Sequence, residues 1–515
     1  MRKRNIRILI VFISIIIFVI LLLKKCTFDN NDIKRSKDYV VKQSFELVPL
    51  NATFIFSINT PAIFKKIDFN NLHKTTSYIN RLKPYYPQNK PFANVFANPE
   101  GCGIDVNKKI VFFVDVGNST EEIYSASILP LKNSTYFRNM TEKELNKSSN
   151  QEKYYKYLDI DNRSLVAWNK DFVIFMTSEE EFDKHKILNN CFDKSHKKYF
   201  DSNPDFSHIF NKTNKDLYFW FDMTSYANNQ IFPLAQSRKP MDTKYLNDVT
   251  YYGNIDFLIG EIEIDLKAKW NKYLDSSIKD ILEFNIDTTI MTSIPMDRKI
   301  SFISQISLNI SNLQNMLLSD IKSKLAARNA LRKYGLIIED INDVLSGDVG
   351  LISYPDSTNN KSSVLLIFSI KDNKKLQNLL KVGTDMKYLE KTDSQTYILP
   401  RQQIPFYPIN VTYSDHKLRL YLKNEKMYIC GDKSIINHIK SNNFINTIPS
   451  YINIKDYIKN GILSIYGTNK ISKIQGYTSK FNVESFKIQY NDSLKISVYS
   501  NNKNISSLKQ LLSIK

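Results

Sequence analysis

The strongest constraint on the fold is that several segments of this sequence recur in the same order, about 230 to 255 residues further along. Val48-Pro49 precedes an alternating run, as Ile294-Pro295 does later, and Ser276–Leu282 matches Ser506–Leu512. Repetition in a fixed order indicates a tandem duplication that determines the whole architecture. A chain of 515 residues also exceeds the usual domain size of ~100–200 residues. We therefore predict two similar halves, over residues 45–283 and 284–515.

The strand pattern of both halves predicts the α+β class. Runs such as Phe257–Leu266 and Leu494–Val498 alternate apolar and polar residues, which is typical of antiparallel sheets with one buried face. Predicted helices fall between groups of strands rather than after each strand, which favours packed α+β layers. The matched strand pairs and helices are Val111–Val116, Tyr124–Leu129 and Tyr136–Leu145 in the first half, and Val349–Tyr354, Val364–Ile370 and Lys374–Leu380 in the second.

Two local signals predict where elements begin. Ser178 and Glu181 have the spacing of a capping box, which predicts a helix that opens with Phe182. Gly347 predicts a turn between a helix and the next strand.

The chain begins with a candidate membrane anchor. Ile8–Leu23 is apolar except for Ser14 and would span about 24 Å as a helix, against a hydrocarbon core of ~30 Å. Flanking Arg7, Lys24 and Lys25 can snorkel to the interface. We predict a cytoplasmic N-terminus at residues 1–7, a transmembrane helix at 8–23 that contacts the bilayer, and a tether at 24–44.

Two alternatives to an uncleaved signal-anchor remain. A cleaved signal peptide needs a small-residue site, which the sequence after Leu23 lacks, and a lipoprotein needs a small residue where Lys25 precedes Cys26. The heavier cluster of cations before the helix predicts a body outside the cytoplasmic membrane, in the periplasm if the cell has one.

Charge and cysteine content exclude several classes. The net charge is +19, but cations and acids are interspersed and no nucleic-acid-reading motif accompanies them, so we do not expect a nucleic-acid partner. The four cysteines, at positions 26, 102, 191 and 430, form no C-x-x-C pair. One disulfide among the last three is an alternative to three separate core residues.

A resemblance adds an expected location. The segments Val48-Pro49 with Phe54–Ile58, Gly103–Asp105 and Leu345–Val349 resemble the repeats of uncharacterised bacterial cell-envelope proteins, a domain-of-unknown-function family anchored by a lipid or a helix. The resemblance covers roughly residues 45–515. It implies an exported protein and supplies no catalytic residue, and the missing lipobox departs from the lipidated members.

Residues with metal or acid chemistry form no known motif. His185, Cys191, His196 and His208 do not have the spacing of a metal site. The acids Glu179-Glu180-Glu181 suit a helix start, and Glu339, Asp340, Asp343 and Asp348 lack EF-hand spacing. We predict no catalytic, cofactor-binding or metal-binding residue and no cofactor.

Aromatic and asparagine clusters admit two interpretations each. Tyr154-Tyr155-x-Tyr157 and Tyr218–Phe221 suit either strand packing or a glycan-stacking platform, and strand packing is the commoner use. Asn118, Asn133, Asn139 and Asn410 begin N-x-[ST] triplets, which an asparagine-rich sequence also produces without selection.

Together these features predict a membrane-anchored, non-enzymatic binding or assembly module of the cell envelope. The alternatives are a lipid-handling or biogenesis factor, which needs a continuous apolar groove, and a glycan-acting enzyme, which needs two facing carboxylates ~5–9.5 Å apart.

Overall fold

The structure is a computed structural model and describes most of the predicted strands and helices. The described residues are 44–49, 52–67, 100–116, 123–178, 183–193, 214–224, 247–273, 300–312, 343–355, 362–400, 417–441, 463–468, 483–490 and 493–511, with the single residues 181, 276, 290, 325, 328, 329, 332 and 337.

The chain forms two compact units. Unit 1 comprises residues 1–271 together with residues 502–515, and unit 2 comprises residues 272–501. The last segment of the chain therefore belongs to the same unit as its first half.

Unit 1 contains ten of the described strands. They are β1 (Phe54–Ile58), β2 (Ile110–Val116), β3 (Ile123–Pro130), β4 (Asn150–Gln151), β5 (Lys156–Asp161), β6 (Ser164–Trp168), β7 (Phe172–Ser178), β8 (Leu217–Asp222), β9 (Thr250–Phe257) and β10 (Glu261–Lys269). Its described helices are α1 (Thr60–Ile67), α2 (Ser134–Leu145), α3 (Lys184–Phe192) and, from the chain's end, α6 (Ser507–Leu511). A short 3-10 helix covers Glu100–Cys102.

Unit 2 contains the other ten described strands. They are β11 (Phe302–Ser307), β12 (Leu345–Pro355), β13 (Ser362–Ile370), β14 (Glu390–Lys391), β15 (Thr396–Pro400), β16 (Lys417–Lys423), β17 (Lys426–Cys430), β18 (Leu463–Thr468), β19 (Val483–Tyr490) and β20 (Leu494–Ser500). Its helices among the described residues are α4 (Asn373–Asp385) and α5 (Lys433–Lys440).

Strand pairing follows the same order in the two units. Unit 1 pairs its strands in the order β4-β5-β6-β7-β3-β2-β1-β8-β9-β10. Unit 2 has the order β14-β15-β16-β17-β13-β12-β11-β18-β19-β20. Every one of these pairs is antiparallel, so the prediction of a mainly antiparallel α+β fold is confirmed.

In unit 1 a helix packs on each face of the sheet at β6 and β7. Cores of this kind form because successive residues of a strand point to opposite faces. Phe137 of α2 is fully buried and packs edge-on against Trp168 and Phe175. On the other face α3 buries Leu188, Cys191 and Phe192 in the cluster that contains Leu165, Ala167, Ile174 and Met176.

Unit 2 repeats this arrangement with different residues. Leu376 and Leu380 of α4 lie in one core cluster with Leu420 and Met427. Ile435 and Ile439 of α5 lie in another, which contains Tyr421, Tyr428 and Cys430. Helices α2, α3, α4 and α5 each begin with an Asn or Asp N-cap that accepts a backbone N–H, as at Asn133 and Asp372.

Three local predictions are wrong. The run Phe257–Leu266 is two strands, because Leu258–Gly260 forms the β9–β10 turn with Gly260 at φ +70°. Ser178 ends β7 and donates to the Ile123 carbonyl, and the N-cap of α3 is Asp183. Gly347 lies inside β12 at a bulge, with φ +105°. The position needs a glycine, because a Cβ there would meet the Leu308 carbonyl oxygen at 1.8 Å.

The predicted anchor lies outside the described residues, as do residues 1–7 and residues 24–43 of the predicted tether. Across the segments that the structure does describe, no helix has the length and apolar character needed to cross a membrane.

Candidate functional site

The candidate site is a cleft of about 490 Å³ in unit 1, between the start of α2, the β4–β5 hairpin and the end of β6. Its volume lies within the ~300–1,000 Å³ range of small-ligand sites. The lining residues are Ser134, Thr135, Arg138, Gln151, Lys153, Tyr154, Tyr155, Lys156, Trp168, Asn169 and Lys170. Four of these are cations and none is an acid.

Helix α2 supplies the first wall and is fixed from both ends of its first turn. Asn133 caps it by accepting the Tyr136 N–H at 2.9 Å, and Phe137 anchors it in the core. This anchoring places Ser134 and Arg138 at the cleft while the apolar side of the helix stays buried. The Arg138 Nε finds no hydrogen-bond partner among the described residues and lies 3.9 Å from Glu142 Oε2.

The β4–β5 hairpin supplies the second wall. Tyr155 is 2% exposed and its ring stacks on Phe192 at 4.9 Å, so the base of the hairpin is fixed by the core. The adjacent Tyr154 is 37% exposed, and the Lys153 Nζ lies 4.8 Å from the centre of its ring. A cation over an aromatic face is held in place while it remains open to solvent.

The turn after β6 completes the cleft. Asn169 accepts the backbone N–H groups of Asp171 and Phe172, each at 2.8 Å, which fixes the turn that carries Lys170. Trp168 is 2% exposed and joins the turn to α2 through Phe137, at a ring distance of 5.6 Å. A buried aromatic contact therefore joins α2 to the turn after β6, and the pairing of Lys156 with Trp168 joins the hairpin to that turn through the sheet.

One acid lies close to the cations without lining the cleft. Glu142 accepts hydrogen bonds from the Ser149 hydroxyl at 2.6 Å and from its backbone N–H at 3.0 Å. These bonds, helped by the charges of Arg138 and Lys156, hold the pKa of Glu142 below its ordinary value. Glu142 is therefore ionised at neutral pH, and its single negative charge offsets part of the positive charge of the four cations.

The corresponding positions of unit 2 have a different charge. Counted from the N-cap of each helix, the residue of α4 that matches Arg138 of α2 is Gln377. In the hairpin, Asp393 follows β14 as Lys153 follows β4, and in the next turn Glu425 follows Asn424 as Lys170 follows Asn169. Asp393 pairs with Lys440 at 2.7 Å. Unit 2 thus has one amide and two carboxylates where unit 1 has three cations.

A second group of charges lies elsewhere in unit 1. Asp216, whose side chain is fully buried, accepts from Lys66 Nζ and from the Phe257 N–H, both at 2.7 Å. Lys66 also contacts Asp256, and Lys215 contacts Asp256 at 2.9 Å and Glu263 at 3.3 Å. The group joins α1, β9, β10 and the start of β8.

The pKa values of the two aspartates are shifted in opposite directions. Burial raises the pKa of Asp216 from 3.8 to about 6, against the opposing effect of Lys66. Burial also opposes ionisation of Asp256, but hydrogen bonds from Lys66 and Lys215 outweigh it and keep the pKa of Asp256 below its ordinary value. Two adjacent carboxyls held by two lysines form an ionic link within the fold, not the open pair that glycoside hydrolysis needs.

The residues singled out from sequence are not brought together. Cys191 is buried in the core, whereas His185 lies beside the Tyr157 ring and Asp159. Asp343 pairs with Lys375 at 2.6 Å. Glu179, Glu180, His196, His208, Glu339, Asp340, Asn118 and Asn410 lie outside the described residues. Within the described ranges, no three His, Cys, Asp or Glu side chains are grouped as a metal site would require.

The aromatic and cysteine predictions have separate outcomes. Tyr218 and Trp220 of β8 are buried in the core, so strand packing is confirmed there. Tyr154 instead lines the cleft, together with cations that the sequence does not group.

Cys102, Cys191 and Cys430 are buried and no disulfide joins them, as predicted for core residues. Asn133 is a helix cap, and Asn139 is exposed on α2.

Comparisons with known proteins reach only distant solved structures. No protein-family model matches the chain, and no curated protein matches it. Crystal form III of TP0453 is similar at 10% identity and a TM-score of 0.26, over 47% of this chain and 88% of that chain. Crystal form I of TP0453 has 11% identity and a TM-score of 0.25, over 49% and 90% respectively.

Proposed function

We propose that this chain is a membrane-tethered, non-enzymatic binding module of the cell envelope, and that the unit 1 cleft holds an anionic ligand. The observation that carries the proposal is the composition of the cleft, which has four cations and no acid among its lining residues. Phosphate or carboxylate groups are the ligands that such a set of donors recognises.

The ligand class follows from the chemistry of the walls. Arg138 lines the cleft, and the planar fork of a guanidinium suits a phosphate or carboxylate. Lys153, Lys156 and Lys170 add charge around it. The exposed face of Tyr154 suits contact with a sugar or polyol next to the anionic group.

The two rival functions find less support in this cleft. A lipid-handling factor needs a continuous apolar groove, whereas four cations line this cleft. A glycan-acting enzyme needs carboxylates that face a substrate, and no acid is among the residues that line this cleft.

We further infer that the two units descend from a tandem duplication. The identical pairing order supports this inference, as do the matched helices on the two faces of each sheet. In this account unit 2 keeps the fold, and unit 1 carries the cationic cleft. A single-pass anchor at Ile8–Leu23 would hold both units outside the cytoplasmic membrane.

The binding test uses the full chain in phosphatidylcholine nanodiscs and poly(glycerol phosphate) as the probe, with neutral dextran for comparison. The test variant carries Arg138→Gln, Lys153→Asp and Lys170→Glu, which are the residue types at the matched unit 2 positions. The control variant carries Lys374→Gln, Lys381→Asp and Lys433→Glu, three exposed cations of unit 2 with the same change in net charge.

Affinity that falls in the test variant and persists in the control supports the proposal. Equal loss in both variants would mean that the net charge of +19 alone attracts the probe, and would contradict it. Vesicles of equal parts phosphatidylglycerol and phosphatidylcholine then show whether a lipid headgroup serves as well as the polymer. Protease accessibility of the body in spheroplasts tests the exported topology separately, since a protected body would refute it.

A further inference from the structure

One aromatic ring of the cationic cleft is presented to solvent. In the cluster Tyr154-Tyr155-x-Tyr157, Tyr155 is buried and the Tyr157 ring packs against His185 at 4.6 Å. Tyr154 lines the cleft and keeps 37% of its surface exposed. The glycan-stacking interpretation of this cluster therefore concerns Tyr154.

Hydrogen bonds fix the loop that presents the Tyr154 ring. The Glu152 N–H donates to the Tyr155 carbonyl at 2.8 Å, which closes the loop between β4 and β5. The side-chain amide of Gln151 donates to the same carbonyl at 3.2 Å and also to the carbonyl of Glu152. Because these bonds and the buried Tyr155 hold the loop, little ordering is needed when a ligand contacts Tyr154.

The Tyr154 ring offers a flat apolar face to a ligand. The Lys153 Nζ lies 4.8 Å from the ring centre, so a cation takes one face and an apolar contact uses the other. The C–H face of a sugar ring is flat and suits such a contact. An acyclic anion such as glycerol phosphate has no flat face to place there.

Two side-chain amides add a donor and an acceptor to the cleft. Gln151 uses its NH₂ group on the loop carbonyls, which leaves its side-chain carbonyl oxygen as an acceptor. Asn169 uses its side-chain oxygen on the N–H groups of the turn that carries Lys170, which leaves its NH₂ group as a donor. An ionised carboxylate only accepts hydrogen bonds, so the acceptor at Gln151 matches a hydroxyl of the ligand. Sugar hydroxyls both donate and accept.

The matched hairpin of unit 2 lacks the ring. Its loop between β14 and β15 is Thr392-Asp393-Ser394-Gln395, which contains neither an aromatic residue nor a cation. The hairpin therefore forms without the ring, and in unit 1 the ring occurs together with Lys153.

We propose that the cleft binds an acidic sugar, that is, a hexose ring with an anionic substituent. The C–H face of the ring lies on Tyr154, and the anionic group lies among Arg138, Lys156 and Lys170. This inference rests on the proposed binding of an anionic ligand at the same cleft and names the class of that ligand.

Two pairs of probes separate the sugar ring from the charge. The carboxylate pair is oligogalacturonate and oligoglutamate of equal length, and the phosphate pair is glucose 6-phosphate and glycerol 3-phosphate. The full chain in phosphatidylcholine nanodiscs should bind the sugar of at least one pair roughly 5- to 10-fold more tightly than its acyclic partner, which is the size of one aromatic contact. The pair that shows this preference identifies the anionic group.

Variants at two tyrosines locate the preference. Tyr154→Leu should remove it and leave the affinity for the acyclic probe unchanged, because all four cations remain. Tyr154→Phe keeps the ring and should keep the preference. The matched control is Tyr136→Leu, which changes a tyrosine of α2 that is 56% exposed and is not among the lining residues, and it should also keep the preference.

Equal affinity within both pairs would overturn this proposal, and so would an equal loss of the preference in Tyr154→Leu and Tyr136→Leu. Binding of none of the four probes would overturn it as well. The proposed function fails on a separate result, which is poly(glycerol phosphate) affinity that survives replacement of Arg138, Lys153 and Lys170.

Discussion

The ionic group around Asp216 should make the stability of unit 1 depend on pH. Burial raises the pKa of this carboxyl from 3.8 to about 6, a shift of about two units, which corresponds to about 3 kcal/mol. Because the folded-state pKa is the higher one, the associated stability is present in full below pH 4. It is lost as the pH rises through 6.

Asp256 acts in a different pH range. Its pKa lies below the ordinary value, so the stability it contributes is lost only as the pH falls below about 4. Lys66 and Lys215 are the cations that contact these carboxyls. Glu263 is the remaining charged neighbour and lies beside Lys215. The interval between pH 4.5 and 7.5 therefore reports chiefly on Asp216, with about 2 of the 3 kcal/mol lost across it.

Tryptophan fluorescence offers a readout of unit 1 alone, because all three tryptophans, Trp168, Trp220 and Trp270, lie in that unit. Urea unfolding would be followed between pH 4.5 and 7.5 for the wild type and for Asp216→Asn, which keeps the shape without the charge. The wild type should lose about 2 kcal/mol of unfolding free energy relative to the variant across this range. At a slope of ~3 kcal/mol per M urea, the midpoint difference changes by about 0.7 M. Parallel pH profiles for the two proteins would refute the reasoning.

Three further predictions follow from single contacts. Phe137→Ala empties a fully buried site and should lower the unfolding free energy of unit 1 by ~3–5 kcal/mol in the same fluorescence assay; a loss under 1 kcal/mol would contradict the packing. Gly347→Ala forces a Cβ onto the Leu308 carbonyl and should speed hydrogen exchange in β11 and β12 while the fluorescence transition stays fixed. Replacing Arg138, Lys153 and Lys170 as above should weaken poly(glycerol phosphate) binding roughly 10- to 100-fold, at ~0.5–1 kcal/mol per cation; an unchanged Kd would exclude the cleft.

Much of the secondary structure is predictable from the sequence because it depends on short-range patterns. The apolar runs Val111–Val116 and Val364–Ile370 predict β2 and β13, and Tyr136–Leu145 predicts most of α2. The recurring order of segments also anticipates the matched pairing of strands. These features need only the period of the apolar residues and their neighbours along the chain.

The remaining features depend on contacts between distant residues. The sequence around Gly347 predicts a turn, whereas in the structure Gly347 lies at a bulge of β12. The backbone carbonyl of Leu308, nearly 40 positions earlier, approaches it there. Ser178 and Glu181 have cap spacing, yet the pairing of β7 with β3 uses Ser178 in the sheet. The cleft is assembled from three segments between residues 134 and 170, each of which looks like a solvated surface when taken alone.

Some of the missed signal is nevertheless in the sequence. Comparing matched positions of the two halves reveals Gln377, Asp393 and Glu425 where the first half has cations. The Lys66–Asp216–Asp256 group gives no such signal, because its members are separated by up to 190 residues and become neighbours only in the sheet.

The most direct measurement of the central claim is the hydrogen-exchange footprint of poly(glycerol phosphate) on the full chain in phosphatidylcholine nanodiscs. The account predicts slower exchange at residues 134–138, 151–156 and 168–170, and no change at 373–377, 391–396 or 423–425 of unit 2. Protection confined to residues 1–37, with their nine cations and two acids, would contradict it. So would protection shared equally by the matched positions of both units.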